Sequence, residues 1–275
     1  MTTVGEAIRA AAEHLAPASD TARLDAELLM AHALGMSRSA MLLGAMRDAA
    51  PEGFAQLVAR RAAHEPVAYI TGEAEFYGLS LRVTPATLIP RGDSETLIEA
   101  ALEWAGEQGR ALDLGTGSGA LLLAVLAKRE GWEGVGLDAS PEALAVAEGN
   151  AAMLGLAGRS AWHVRNWHDA GWAEGLGTFD LILCNPPYVE EAAALDPQVR
   201  DYEPASALFA GPEGLDDYRA LIPQLPALMK PQASAILEIG AVQAGAVAAL
   251  AEAAGFDCTL RRDLAGRARA LILRA

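Results

Sequence analysis

Two short stretches of this 275-residue chain carry residue types whose spacing suits chemistry. Asn185-Pro-Pro-Tyr188 follows an apolar run, Phe179-Asp-Leu-Ile-Leu-Cys184, that reads as a β-strand. Pro186 has no N–H and drives Asn185 into extended backbone, and Pro187 does the same to Pro186. The side-chain oxygen of Asn185 and the main-chain carbonyl of Pro186 can then point into one small space. Two fixed acceptors there can hold both hydrogens of a planar NH₂ group, and Tyr188 can stack its ring on that flat group. An amide or aniline-type nitrogen is a weak nucleophile because its lone pair is delocalised. Gripping both N–H bonds favours pyramidalisation and aims the lone pair at an electrophile. Positioning of this kind supplies several kcal/mol of barrier reduction, up to roughly 7–11 kcal/mol in the best intramolecular cases. A methyl group on a sulfonium is the matching electrophile, whereas hydride transfer needs no such clamp.

The second stretch is Asp113-Leu-Gly-Thr-Gly-Ser-Gly119, between a short apolar strand and a helix. Glycines let the backbone turn tightly and approach a ligand closely, and a helix N-terminus offers free N–H groups. Asp138 ends the following strand, 23 residues after Gly115, where a carboxylate can accept hydrogen bonds from ribose hydroxyls. Gly115-x-Gly117-x-x-Ala120 plus that acid also meets the dinucleotide fingerprint. By itself this stretch predicts an adenosine-bearing cofactor and leaves its identity open; the Asn-Pro-Pro-Tyr segment favours a methyl donor.

The elements that must position these stretches fall into three regions. Residues 1–70 read as helices only: 3–15, 21–34 with Asp20 as N-cap and Gly35 as stop, 37–44 and 52–63, a pattern expected of a small helical bundle. At Pro66-Val-Ala-Tyr-Ile70 the texture changes, and residues 71–90 read as a linking hairpin built from the β-like pieces Glu75-Phe-Tyr77 and Leu79–Val83. Residues 91–275 open with Ser94 capping a helix to about residue 106 and then alternate strand and helix. Strands are expected at 111–114, 134–138, 161–165, 179–184 and 234–239, with helices at 120–129, 141–155, 216–229 and 241–254. The tail, 256–262 and 268–273, reads as an antiparallel hairpin around Gly266. The fold class is therefore α/β, a Rossmann-like sheet with a reversed strand near its edge, preceded by a helical bundle.

Composition narrows the partners. The chain is 52% hydrophobic and 21% charged, enough to bury a core, and its formal charge is −15. Such a chain repels phosphate backbones unless its cations are segregated on one face, so direct nucleic-acid binding is not expected. Cys184 and Cys258 form no Cys-x-x-Cys pair, which excludes a zinc or disulfide framework and fits a reducing cytoplasm. The start of the chain lacks the features of a signal peptide, and no apolar run reaches the ~18–20 residues of a membrane span. The five histidines have no partners at metal-ligand spacing, and Cys184 reads as a buried strand thiol. Glu238 reads as a structural hydrogen-bond partner or as a support to the site.

Together the glycine stretch and Asn-Pro-Pro-Tyr resemble the class I S-adenosylmethionine-dependent methyltransferases that modify planar amino groups, and more narrowly the HemK-type release-factor glutamine methyltransferases. The similarity spans nearly the whole chain. Asp25-Ala-Glu-Leu-Leu29 with His32 and Gly35 resembles the family's N-terminal helical domain. Glu65-Pro-Val-Ala-Tyr-Ile70 with Glu75-Phe-Tyr-Gly78 resembles its linker, Leu88-Ile-Pro-Arg91 with Glu95 the start of its catalytic domain, and Asp263-Leu-Ala-Gly-Arg267 its terminal hairpin. The chain departs from the pattern at His64, where glycine is usual, at Gly92 and Ser94, where proline and threonine are usual, and at Ala268 and Ala270.

The resemblance implies S-adenosylmethionine as cofactor, with S-adenosylhomocysteine as product. Gly115, Thr116, Gly117, Ser118 and Gly119 would line its methionine end, Asp138 would hold its ribose, and Trp167 would lie near its adenine. Asp113 would help to orient its amino group. Asn185, Pro186, Pro187 and Tyr188 would bind the substrate glutamine, with Asn185, Pro186 and Tyr188 catalytic and Asn185 also beside the cofactor. The implied reaction is methylation of the side-chain amide nitrogen (N5) of the glutamine in the Gly-Gly-Gln motif of peptide chain release factors, by a cytoplasmic monomer whose helical domain docks the substrate. The alternatives are a glutamine on a ribosomal protein, an amino group on a nucleic-acid base, and a non-catalytic translation-associated protein that keeps the fold.

Overall fold

A computed structural model describes residues 1–274 of the chain, which divides into two compact units. The first holds Met1–Glu73 together with Leu195–Tyr202. Its helices are α1 (Val4–Leu15), α2 (Ala22–Leu34), α3 (Arg38–Gly44), α4 (Phe54–Ala62) and α5 (Val67–Thr71). Thr3 caps α1 in a reciprocal capping box with Glu6, and Ser37 caps α3. Val4, Ile8, Ala11 and Leu15 recur at helical spacing and are buried against Leu29, Met30, Met41, Phe54 and Val58. One detail differs from expectation. Thr21, not Asp20, is the N-cap of α2, and its hydroxyl turns to Asp25 instead of capping. Pro66, where the texture changes, precedes the single-turn helix α5, which Gly72 closes in the left-handed conformation.

The acids of Asp25-Ala-Glu27 are the electrostatic centre of this unit. Asp25 is buried and accepts from Arg61 Nε at 2.7 Å, Ser19 Oγ at 2.7 Å and Thr21 Oγ1 at 2.9 Å. Arg61 is itself buried. Glu27 takes Arg23 Nε at 2.5 Å and Arg38 Nε at 2.8 Å. His64, where the family pattern has glycine, sits at φ 68°, a left-handed conformation that explains why glycine suits the position.

The second unit holds Ala74–Ala194 and the chain from Glu203 onward. A two-stranded hairpin, β1 (Glu73–Phe76) and β2 (Leu79–Arg82), turns at Tyr77-Gly78, both with positive φ. Then follow α6 (Glu95–Trp104), β3 (Gln108–Leu114), α7 (Ala120–Lys128), β4 (Gly131–Asp138), α8 (Pro141–Met153), β5 (Ser160–Val164) and β6 (Phe179–Cys184). After α9 (Pro197–Arg200), which belongs to the first unit, come α10 (Asp216–Leu221), β7 (Met229–Glu238), α11 (Ala244–Ala253), β8 (Asp257–Arg262) and β9 (Ala268–Arg274). The helix expected through residue 229 ends at Leu221 and continues as a 3₁₀ segment, because Pro223 and Pro226 supply no N–H to an α-helical ladder.

Seven strands form one sheet in the order β5-β4-β3-β6-β7-β9-β8, parallel except for β9, which runs antiparallel to both its neighbours. Neighbouring residues on a strand bury opposite faces. Leu112, Leu114, Ile182 and Cys184 face one core, and Ala111, Leu181 and Leu183 the other. Register aligns the carboxyl ends: Leu114 pairs with Leu137 on β4 and with Cys184 on β6, and Cys184 pairs with Leu237 on β7. Gly115, Asp138, Asn185 and Glu238 therefore leave the sheet at one edge. Among the described residues no helix is long and apolar enough to cross a membrane.

The Asp25–Arg61 pair yields a direct expectation. Asp25→Ala leaves a buried guanidinium without its partner and should destabilise the helical unit by about 3–5 kcal/mol, read as a lowered denaturant midpoint; a change below about 1 kcal/mol would contradict the assignment.

Candidate active site

The carboxyl edge of the sheet opens into a cavity of about 340 Å³. Gly115, Thr116, Gly117 and Ser118 form one wall, Asp138 and Trp167 another, and Asn185 and Pro187 a third. The glycine stretch is held by the next strand: Thr116 N donates to Leu137 O at 2.9 Å and Gly117 N to Asp138 Oδ2 at 2.8 Å. Gly115 has φ 70°, and a Cβ there would lie 3.2 Å from the Trp167 ring, so glycine is what lets that ring approach. Gly119 does not line the cavity. At φ 82° it packs α7 down, with Leu123, Ala147 and Trp162 at 3.0–3.2 Å from where a Cβ would be.

Asp138 Oδ1 accepts from Ser140 N at 2.9 Å while Oδ2 holds Gly117, so the carboxylate is fixed in the cavity wall with lone pairs to spare. Burial raises its pKa, opposed by these backbone donors. Asp113 lies outside the wall and is fully buried. Thr116 Oγ1 donates to its Oδ2 at 2.6 Å, and Oδ1 meets no donor within hydrogen-bond geometry. Burial pushes this carboxyl up to about 7, against the Thr116 hydroxyl and the nearby Leu122 amide.

The Asn-Pro-Pro-Tyr segment divides between two places. Asn185 and Pro187 face the cavity, and Pro186 is buried and is not part of its wall. Tyr188 lines a second depression with Arg91, Asp93, Glu238 and Arg269. Its hydroxyl donates to Glu238 Oε1 at 3.1 Å, and burial beside that acid raises the phenol's pKa. Glu238 is buried at the end of β7 and also accepts from Ser94 Oγ at 2.5 Å, with Arg269 Nη1 at 3.8 Å. Ser94 thus makes no side-chain helix cap, contrary to expectation, because its hydroxyl is taken by Glu238. Burial raises the Glu238 pKa and also lifts the Cys184 thiol well above its ordinary value.

Three further side chains complete the site. Asp217, buried on α10 and part of the wall, accepts from Trp167 Nε1 at 2.7 Å and lies 2.9 Å from His168 Nε2, which fixes the indole. Nothing in the acidic run Glu213–Asp217 distinguishes it in the sequence. Asn150 is fully buried: its Nδ2 donates to Ser118 O at 2.8 Å and to Arg82 O at 3.0 Å, and its Oδ1 accepts from Arg82 N at 2.8 Å. Its signal was an amide on the Ala143, Ala147, Ala151 face of α8, a core position. Glu203 pairs with Arg91 and accepts from Ile89 N, which holds the Leu88–Arg91 wall.

The buried Asp113 gives the fold a pH dependence. Its carboxyl, at 3.8 ordinarily and about 7 when folded, keeps a proton that the unfolded chain has already released, so it lowers stability as pH rises between those values. Asp113→Asn keeps an acceptor for Thr116 and removes this dependence. Melting curves should show the variant gaining on the wild type by roughly 2 kcal/mol between pH 5 and pH 8; a difference that does not change with pH would contradict the assignment.

Comparison with known proteins agrees with this geometry. Residues 6–72 match the family described as PrmC N-terminal domain, and residues 106–240 match the family described as Methyltransferase domain. A release factor glutamine methyltransferase of Rhodospirillum rubrum is 44% identical over 259 residues, covering 92% of this chain and 78% of that one. Another, of Cereibacter sphaeroides, is 45% identical over 271 residues, covering 96% and 95%. Among solved structures, a methyltransferase of Pyrococcus furiosus superposes with a TM-score of 0.52 at 17% identity, over 80% of this chain and 98% of that one, and so shares the fold. The expected class I methyltransferase fold is the one observed, the methyl donor of such enzymes is S-adenosylmethionine, and the chain belongs to the release factor glutamine methyltransferase family.

Proposed function

We propose that this chain transfers the methyl group of S-adenosylmethionine to the side-chain amide nitrogen (N5) of the glutamine in the Gly-Gly-Gln motif of peptide chain release factors. The observation that carries the reading is that Asn185, at the start of Asn-Pro-Pro-Tyr, shares one cavity with the glycine stretch and Asp138. A cofactor wall and an amide-binding residue thus face a single space.

The residues present fit the cofactor. Gly115 to Ser118 offer close backbone approach, Asp138 offers a fixed carboxylate for vicinal hydroxyls, and Trp167, pinned by Asp217, offers a flat apolar surface. When bound, S-adenosylmethionine supplies an electrophilic methyl on a positively charged sulfur. The remaining work falls to the chain. Asn185 Oδ1 and the Pro186 carbonyl would accept the two N–H bonds of the substrate amide, withdraw its lone pair from conjugation and aim it. Pro187 narrows the cavity wall and helps to exclude water. Tyr188, braced by Glu238, would bound the amide plane from the second depression. The helical unit would dock the release factor.

Incubation of the enzyme and S-adenosylmethionine with a release factor should add about 14 Da, the mass of CH₂, to the Gly-Gly-Gln peptide; no gain, or a gain only on a ribosomal protein run in parallel, would contradict the proposal. Asn185→Ala should slow transfer at least about 100-fold while S-adenosylhomocysteine affinity changes little. Asp138→Ala should weaken that affinity about 10- to 100-fold by calorimetry, and unchanged binding would remove Asp138 from the cofactor site.

A further inference from the structure

The middle of Asn185-Pro-Pro-Tyr188 cannot be fixed by its own backbone donors, because Pro186 and Pro187 have none. Its geometry depends on how its two ends are held. One end is the sheet, where Cys184 pairs with Leu237. At the other, Val189 N donates to Leu208 O at 2.8 Å, Ala210 N to Val189 O at 2.9 Å and Glu191 N to Gly211 O at 3.1 Å. The Tyr188 carbonyl, between these ends, is held by a side chain: Gln243 Nε2 donates to it at 3.0 Å.

Gln243 is buried at the start of α11 and uses its whole amide. The same Nε2 donates to Gly214 O at 3.1 Å, and Oε1 accepts from Gly240 N at 3.0 Å. The chain is shaped to admit these bonds. A Cβ on Gly214 (φ 65°) would fall 2.3 Å from Tyr188 O and 2.8 Å from Gln243 Nε2, and one on Gly240 would fall 2.6 Å from Gln243 Oε1. Two glycines thus clear space around one amide that joins the exit of the Asn-Pro-Pro-Tyr segment, the loop before α10 and the turn after β7. The requirement is for two donors and one acceptor on a side chain of this length, which glutamine alone meets: glutamate lacks the donors, and asparagine is one methylene short.

We infer that Gln243 is a positioning residue for methyl transfer, setting the main chain at Tyr188 and through it the aim of the Pro186 carbonyl and the Asn185 amide. The inference rests on the proposed clamp role of Asn185 and Pro186. Loss of the amide leaves the part-buried Tyr188 carbonyl without this donor and loosens the exit of the segment, and displacement of a reacting group by about 1 Å can cost about 100-fold in rate.

The test uses the full chain. Gln243→Met keeps the length and removes the donors, and Gln243→Glu keeps a polar side chain and the acceptor. Both should lower kcat on the release factor at least about tenfold, with KM and S-adenosylhomocysteine affinity within about threefold of wild type. Amide exchange at Val189 and Glu191, followed by mass spectrometry, should quicken at least about tenfold. If the methionine variant fails to fold, the glutamate variant decides. A kcat within about twofold of wild type, or a fall in cofactor affinity that matches the fall in kcat, would overturn the inference in favour of a purely structural role. If the wild type transfers nothing to the release factor, the proposed function fails, and unchanged exchange at Val189 and Glu191 in the variants would separately overturn this one.

Discussion

An amide nitrogen has no free lone pair to offer, and the site is organised around that constraint. The answer proposed for this chain is the segment at the end of β6, which begins with Asn185 and carries two consecutive prolines. The prolines remove conformational freedom from the segment, and they also remove the N–H groups that would otherwise tie it down. Rigidity therefore has to be supplied from outside: by the parallel register of β6 between β3 and β7 on one side, and by hydrogen bonds to the Tyr188 and Val189 peptides on the other. The parallel sheet matters to function chiefly because it brings the ends of β3, β4, β6 and β7 to the same level, so that the glycine stretch, Asp138 and Asn185 meet at one cavity.

The same edge gathers buried acids. Asp113, Asp138 and Glu238 all have raised pKa values with burial as the main cause. Each is tied to a neighbour that the site needs: Asp113 to Thr116, Asp138 to Gly117, Glu238 to Tyr188 and Ser94. These groups cost folding free energy and fix backbone and side-chain positions in return, which is the usual relation between a preorganised site and the stability of its scaffold. In the helical unit the buried acids Asp25 and Glu27 are instead paired with arginines, Arg61 for the first and Arg23 and Arg38 for the second.

Much of this was legible in the sequence because the signals were local. The strand Phe179–Cys184, the Ser140-Pro141 start of α8 and the terminal hairpin follow from period, cap and turn chemistry, and the turn between β3 and α7 from its glycines. Failures came where another side chain outbid a capping preference. Ser94 is a good cap in isolation, but Glu238, 144 residues away in the chain, takes its hydroxyl. Thr21 turns to Asp25, four residues on, instead of capping its own helix. The supports of the site, Asn150, Asp217 and Gln243, are single amides or acids whose partners, Gly240 apart, lie 29 to 68 residues away, and no spacing rule points to them.

The account stands or falls on where the substrate nitrogen is held. A crystal structure of the chain with S-adenosylhomocysteine and a Gly-Gly-Gln peptide measures this directly. The account predicts the glutamine side-chain nitrogen within hydrogen-bond distance of both Asn185 Oδ1 and the Pro186 carbonyl oxygen, facing the cofactor's sulfur. A glutamine bound elsewhere, or a Pro186 carbonyl turned away from it, would contradict the account.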